Sequence, residues 1–265
     1  MEEKLKKEKV VLNERGGWMG YWPTIGWKAI FDPENGRIPT FLKEEVKNLP
    51  DSALVLDAGA GKMPYKNIFA NLTYESCDMP GGFYSDKHDF LCSLDDIPRS
   101  NEFYDAVVLT QVLEHVKNPK NVLCEINRIL KKEGKLLLSV PLNGPLHGEP
   151  WHFYHFTHHG IQELASDCNY EILSIEKIGG SFWALGKRLP ESFRRIFKQF
   201  DPFRAKKRNK SSFKYLLLNF ALLPFYIFFY LPSAYIIRPL FYWCDKLDFE
   251  KKYTLGYTVV LKKIN

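Results

Sequence analysis

Two blocks decide the fold: Phe103-Tyr104-Asp105-Ala106-Val107-Val108-Leu109-Thr110-Gln111-Val112-Leu113-Glu114-His115-Val116, and EINRILKKEGKLLLSVP at 125–141. Tyr104 to Leu109 is apolar apart from Asp105, the composition of a strand covered on both faces. Asn118-Pro119 offers an N-cap and a first-turn proline, and Val122, Leu123, Ile126, Ile129 and Leu130 follow at helical spacing until Gly134 closes the helix. Lys135 to Val140 is another buried strand, stopped by Pro141. Strand, helix and strand in this order make a parallel crossover unit.

The same alternation extends outward. Pro39-Thr40 followed by Phe41, Leu42, Val46 and Leu49 predicts a short helix ending at Pro50, and Ala53 to Leu56 predicts a buried strand. Leu72–Cys77 is a second strand, Thr157 caps a helix carrying Ile161, Leu164 and Ala165, and Tyr170–Ile178 and Tyr253–Lys262 are the last two strands. Interleaved strands and helices imply an α/β fold with a doubly wound, mostly parallel sheet. No internal repeat is visible.

The first strand runs into Asp57-Ala58-Gly59-Ala60-Gly61, with glycines where the chain must turn sharply and let a ligand approach the backbone. It is a two-glycine version: Pro64 stands where a third glycine is expected, and a plain tight turn would use the same residues. Asp78 lies 21 positions after Asp57, the distance at which a carboxylate reaches both hydroxyls of an adenosine ribose. Asp89, ahead of Phe90-Leu91, can face an adenine amino group.

Taken in order, Leu54–Gly61, the VLEHV block at 112–116 and the LLLSVP block at 136–141 closely resemble class I S-adenosylmethionine-dependent methyltransferases of the broad type-11 kind, over about residues 50–180. The resemblance implies a seven-stranded Rossmann-like sheet with its last strand antiparallel, and S-adenosylmethionine across the carboxyl ends of the first strands. Carried over residue by residue, Asp57, Gly59 and Gly61 line the methionine portion, Asp78 holds the ribose, Asp89 and Phe90 contact the adenine, and Gln111 lies beside the sulfonium. Pro64 departs from the family pattern and puts the path of the loop around Met63 in question. Glu114-His115 reads as a brace for the loop after the fourth strand.

Five of the seven histidines, at 147, 152, 155, 158 and 159, fall in PLHGEPWHFYHFTHH at 145–159, where the family has an acceptor-facing aromatic segment. His152 and His155 are the candidate catalytic bases, since a neutral imidazole takes a proton near neutral pH. In an extended chain their spacing of three places them on opposite faces, and His152 is the favoured one. His158 and His159 belong to the surface of a helix's first turn. No metal is expected, because no carboxylate pattern accompanies the histidines.

With 45% apolar residues in 265, the chain can bury a large core, which excludes disorder of the whole chain. The five cysteines are odd in number and widely separated, so neither a disulfide framework nor a zinc knuckle is indicated and a reducing cytoplasm fits. The N-terminus lacks the apolar core of a signal peptide. The net charge of +6 is concentrated: 187–214 holds eleven Lys/Arg against Glu191 and Asp201, and 23 uncharged residues, 215–237, follow. The stretch Tyr215–Trp243 is too short and too broken by Pro224, Pro232, Arg238 and Pro239 to cross a membrane twice, so a helical apolar insert lying on an anionic membrane face is expected, with a dimerising lid as the alternative. Nucleic acid does not account for the apolar stretch.

The expected organisation is an aromatic-rich leader or lid at 1–38, a core at 39–178 and 254–265, and a basic and apolar helical insert at 179–253. The expected activity is S-adenosylmethionine-dependent methylation, most simply at oxygen, of a lipid-linked or apolar acceptor. A soluble small-molecule O-methyltransferase and a non-catalytic scaffold on the same fold are the alternatives.

Overall fold

The computed structural model describes residues 33–81, 87–199 and 212–264. Most of the leader, 1–32, and the centre of the basic run, 200–211, lie outside the described residues. The chain forms two compact units, one holding 34–178 with 255–264 and the other 179–254.

The first unit is a seven-stranded sheet: β1 (Leu54–Ala58), β2 (Thr73–Asp78), β3 (Phe90–Leu91), β4 (Tyr104–Thr110), β5 (Leu130–Pro141), β6 (Tyr170–Lys177) and β7 (Gly256–Lys263). Its order is β3-β2-β1-β4-β5-β7-β6, and only β7 runs antiparallel to its neighbours. Val55, Leu56, Val107, Val108, Leu137 and Leu138 are fully buried, so the unbroken apolar runs mark strands covered on both faces. Val259 of β7 sits opposite Leu138 on one side and Ile175 on the other, which joins β6 to the sheet only through the last strand.

Three helices flank this sheet: α1 (Pro33–Val46), α2 (Pro119–Ile129) and α3 (His158–Asp167). The helix expected to start at Pro39 begins at Pro33 and carries Pro39 inside it, burying Ile38, Phe41 and Leu42, so the leader boundary at 38 falls within a helix. In α2 the residues Val122, Leu123, Ile126 and Ile129 are buried, as their spacing predicts. Gly134 does not close this helix, which ends at Ile129. The glycine instead serves a tight bend in β5, where a Cβ would lie 2.8 Å from the Lys131 carbonyl and 3.2 Å from that of Asp105. Thr157 caps α3 by accepting from Gly160 N at 3.1 Å.

Against the expectation of unpaired cysteines, Cys124 of α2 and Cys168, the residue after α3, form a disulfide, whereas Cys77, Cys92 and Cys244 are free. Their separation of 44 residues fits no short spacing pattern, so only the packing of the two helices brings them together.

Among the described residues, the second unit holds α4 (Ser181–Gln199), α5 (Ser212–Ala221), one α-turn (Leu223–Phe225), two π-turns (Tyr226–Tyr230 and Ser233–Ile237), α6 (Arg238–Cys244) and a 3-10 turn (Asp245–Leu247). Gly186 lets α4 and α6 approach closely, since a Cβ there would stand 3.2 Å from that of Phe241. Phe182 meets Phe241, and Trp183 meets Tyr242, across this crossing. The start of α4 is held by distant carboxylates: Asp245 accepts from the backbone amides of Gly180 and Trp183, and Asp248 accepts from Ser181 N at 2.7 Å. No described helix is long and apolar enough to cross a membrane.

Candidate active site

In open α/β sheets ligands bind at the carboxyl ends of the strands, where the strand order reverses. Here the reversal lies between β1 and β4, and Val112, in the loop leaving β4, packs over Gly59 in the loop leaving β1. Gly59 has φ +68° and Gly61 has φ +53°, left-handed values that favour glycine, and Met63, the residue before Pro64, is left-handed as well at φ +51°. Gly59 N and Ala60 N donate to Cys77 O, which pins the loop to β2. Beyond Gly61 there is open space among the described residues, none of which outside its chain neighbours places an atom within 4 Å of where a Cβ would be.

Asp78, at the tip of β2, accepts from Gly61 N at 2.9 Å through Oδ2 and from Met79 N at 2.7 Å through Oδ1, and is one quarter exposed. It therefore stands at the open side of the glycine loop with acceptor capacity remaining for a ribose. Asp57 is buried and accepts from the Tyr74 hydroxyl at 2.7 Å. Burial, opposed by the Tyr74 bond and assisted by the charge of Asp78, pushes its carboxyl up to about 6. The same burial, together with the Asp57 charge, raises the Tyr74 phenol well above its ordinary value, so Tyr74 stays a donor. Tyr74 had no signal in the sequence, because its partner is on a neighbouring strand.

The other expected cofactor contacts are only partly assembled. Asp89 Oδ2 accepts from both the amide and the hydroxyl of Ser76 at 2.8 Å, so this oxygen ties the β2–β3 connection down and does not face a ligand. Burial opposes but does not cancel these bonds, which hold Asp89 below the usual carboxylate range. One face of Phe90 is covered by the Arg99 guanidinium, 3.9 Å from its centroid. Gln111 has φ +54°, a strained backbone for a non-glycine residue, and bonds Ser139 through its amide N at 2.9 Å and its side chain at 3.3 Å.

After β5 the chain from Leu142 to Thr157 is irregular and lies against the 3-10 turn Leu113–His115. Phe153 N and Tyr154 N both donate to Glu114 O, so the backbone of Glu114 ties down the loop after β5, whereas the expected brace is for the loop after the fourth strand. His152 and His155 are not on opposite faces: the segment is not an extended strand, and their rings lie 4.9 Å apart. They belong to a group with His115 and His147, whose rings lie 5.4 and 4.5 Å from that of His152. His152 Nδ1 accepts from His147 N at 3.1 Å, and its Nε2 is buried with no hydrogen-bond partner among the described residues. His155 is exposed.

His115 Nδ1 lies 2.5 Å from Trp151 O and His147 Nδ1 lies 3.1 Å from Pro145 O. Burial, reinforced by His147 and His152 and opposed by the Trp151 bond, holds His115 below the usual imidazole range. The Glu114 side chain is fully buried, its Oε1 3.9 Å from Nε2 of both His115 and His147. The fold thus supplies the carboxylate that the sequence around the histidines lacks.

A family model described as a methyltransferase domain matches residues 34–175, more than half of the chain. No curated protein matches. Among solved structures, the chain is similar to the cyclase SpnF (15% identity, 87% of this chain and 82% of that one, TM-score 0.53). It is also similar to a candidate sarcosine dimethylglycine methyltransferase from Galdieria sulphuraria (13%, 86% and 85%, 0.53). A candidate methyltransferase from Bacillus halodurans compares similarly (12%, 87% and 100%, 0.50). At these identities the likeness concerns the fold.

Proposed function

The chain belongs to the class I S-adenosylmethionine-dependent methyltransferases, and from that premise we propose that it methylates, at oxygen, a lipid-linked or otherwise apolar acceptor presented at a membrane surface. The bound cofactor supplies a methyl group already activated on a sulfonium. The residues that fit it are Gly59, whose left-handed backbone makes the turn under Val112, Gly61, which has open space beside it among the described residues, and Asp78, whose carboxylate borders that space. Positioning is the protein's main contribution, since alignment of acceptor and methyl supplies much of the rate. Removal of the hydroxyl proton falls to the histidines of the 147–155 loop, among them the two expected bases: His152, whose Nδ1 accepts from His147 N and whose Nε2 has no hydrogen-bond partner among the described residues, and exposed His155.

The observation that carries the acceptor class is the number of large apolar side chains that the second unit exposes. Phe213, Phe220, Phe228 and Phe249 are each about 70% exposed or more, and Leu216, Leu217, Tyr235, Ile236 and Trp243 are exposed with them. So many large apolar side chains exposed within one helical unit call for an interaction to cover them. The basic residues that precede it suit anionic headgroups, each worth about 1 kcal/mol near the surface. We place the protein at the inner face of the membrane, a reducing side on which the Cys124–Cys168 pair would be held as thiols.

The test joins two measurements. Membrane and soluble extracts incubated with labelled S-adenosylmethionine should yield a labelled product in the lipid fraction. The protein should co-sediment with liposomes only when they contain acidic lipid, less so in salt, and not after Lys206, Lys207, Arg208 and Lys210 are changed to Gln. A labelled water-soluble product, with a dimer in solution and no sedimentation, would establish the lid reading instead.

A further inference from the structure

We propose that Glu114, His115 and His147 bind one first-row divalent transition-metal ion of the zinc type, leaving coordination positions open for an oxygen ligand. The donor atoms come from two loops, Glu114 and His115 from the turn after β4 and His147 from the loop after β5, and they all lie within 4.8 Å of one another.

The tautomers carry the argument. A carbonyl oxygen can only accept, so the ring nitrogens facing Trp151 O and Pro145 O must both carry hydrogen. In the neutral rings that leaves both Nε2 atoms bare. These two nitrogens nevertheless lie 3.1 Å apart, an arrangement in which two lone pairs oppose each other unless something positive binds both. With metal–nitrogen bonds of about 2.0–2.1 Å, two ligands on one ion stand roughly 2.9 Å apart in octahedral and 3.4 Å apart in tetrahedral geometry. The observed separation falls between these values. Glu114 Oε1, at 3.9 Å from each nitrogen, needs to move in by about half an ångström to complete the set.

Each imidazole is also supported from behind, as metal-binding imidazoles usually are, by a carbonyl on the far nitrogen. Gly148, with φ +63°, brings the backbone against the His115 ring, where a Cβ would stand 3.2 Å from Cε1. The buried state of Glu114 means that a cation placed beside it is little screened by water. Two imidazoles and one carboxylate select zinc, iron, cobalt or manganese over magnesium or calcium. On the methyl-transfer reading, on which this role rests, an acceptor hydroxyl bound to the ion gives up its proton more readily. Binding of the ion itself does not depend on that reading.

The experiment titrates chelator-treated, dialysed protein with Co2+, followed by visible absorption, and with Zn2+, followed by calorimetry. One equivalent should bind, with cobalt bands of a nitrogen and oxygen site and no thiolate charge-transfer band. Exposed His147→Ala, which should fold normally by its melting curve, should weaken binding by more than the roughly 10–100-fold that loss of a mere supporting group causes. Glu114→Gln, near-isosteric, should do likewise. Absence of saturable binding, or binding unchanged in both variants, would overturn the proposal, leaving the two imidazoles to share a proton or the free thiols to hold the metal. The titration contains no acceptor, so it separates failure of this site from failure of the methylation reading.

Discussion

Val112 fills the space that a side chain on Gly59 would need, its two γ-methyl groups standing 2.8 Å from where a Cβ would be. The turn after β4 thereby closes down on the turn after β1, and the two loops form one surface. Gly59→Ala meets both this clash and an unfavourable left-handed backbone, and should lower stability by about 2–4 kcal/mol. Gly61→Ala meets only the backbone term, about 1 kcal/mol, but points its methyl into the open space. Urea unfolding and cofactor calorimetry should therefore separate the two: Gly59→Ala mainly loses stability, Gly61→Ala mainly loses affinity.

Asp57 should make the unliganded protein less stable as pH rises. Its folded carboxyl, pushed up to about 6, retains a proton that the unfolded chain releases near 4, so the favourable contribution is complete below pH 4 and is lost as pH passes 6. The difference is up to about 3 kcal/mol at pH 7. Asp57→Asn should flatten this decline in urea midpoints measured from pH 4 to 8, and a variant with the same slope as the parent would refute the assignment.

Asp78 is expected to matter for affinity more than for folding. Asp78→Ala should weaken S-adenosylmethionine binding by about 1.5–3 kcal/mol, the scale of hydrogen bonds to a charged group. Calorimetry giving an unchanged dissociation constant would remove Asp78 from the ribose site.

Thiol titration checks the disulfide. The denatured oxidised protein should show three reactive thiols, from Cys77, Cys92 and Cys244, and the reduced protein five. Closing 44 residues of chain corresponds to roughly 3–4 kcal/mol by loop entropy, so reduction should lower the melting midpoint.

Asp245 and Asp248 should stabilise the helical unit locally. Asp245→Ala removes the acceptor for two buried amides at the start of α4 and should cost about 2–3 kcal/mol, seen as faster hydrogen exchange in the first turns of Ser181–Gln199. Exchange in β4 and β5 should not change.

What could be read from the sequence was set by local pattern. The β4 and β5 runs, the Thr157 cap and the left-handed turns at Gly59 and Gly61 each depend on residues close in the chain. What escaped depends on contacts between distant segments. Glu114 meets His147 across 33 positions, Tyr74 reaches Asp57 across a strand, and Cys124 meets Cys168 between helices. His152 and His155 were misplaced because alternation holds only in a strand, and that loop is not one. Pro39 suggested a helix start although the helix accommodates it internally.

The position of β7 between β5 and β6 has a consequence for synthesis of the chain. Both outer ladders of this half of the sheet need residues 256–263, and the second unit intervenes between β6 and that strand. While the chain is being made, β1 to β5 can pair as they emerge, but the open edge of β5 waits for about 115 further residues, and β6 for about eighty, before β7 leaves the ribosome. An unpaired, apolar strand edge exposed for that interval is a template for association with other chains. Truncation before Leu261 should thus yield aggregation-prone protein rather than a smaller enzyme, and its production should depend on chaperones that shield that edge.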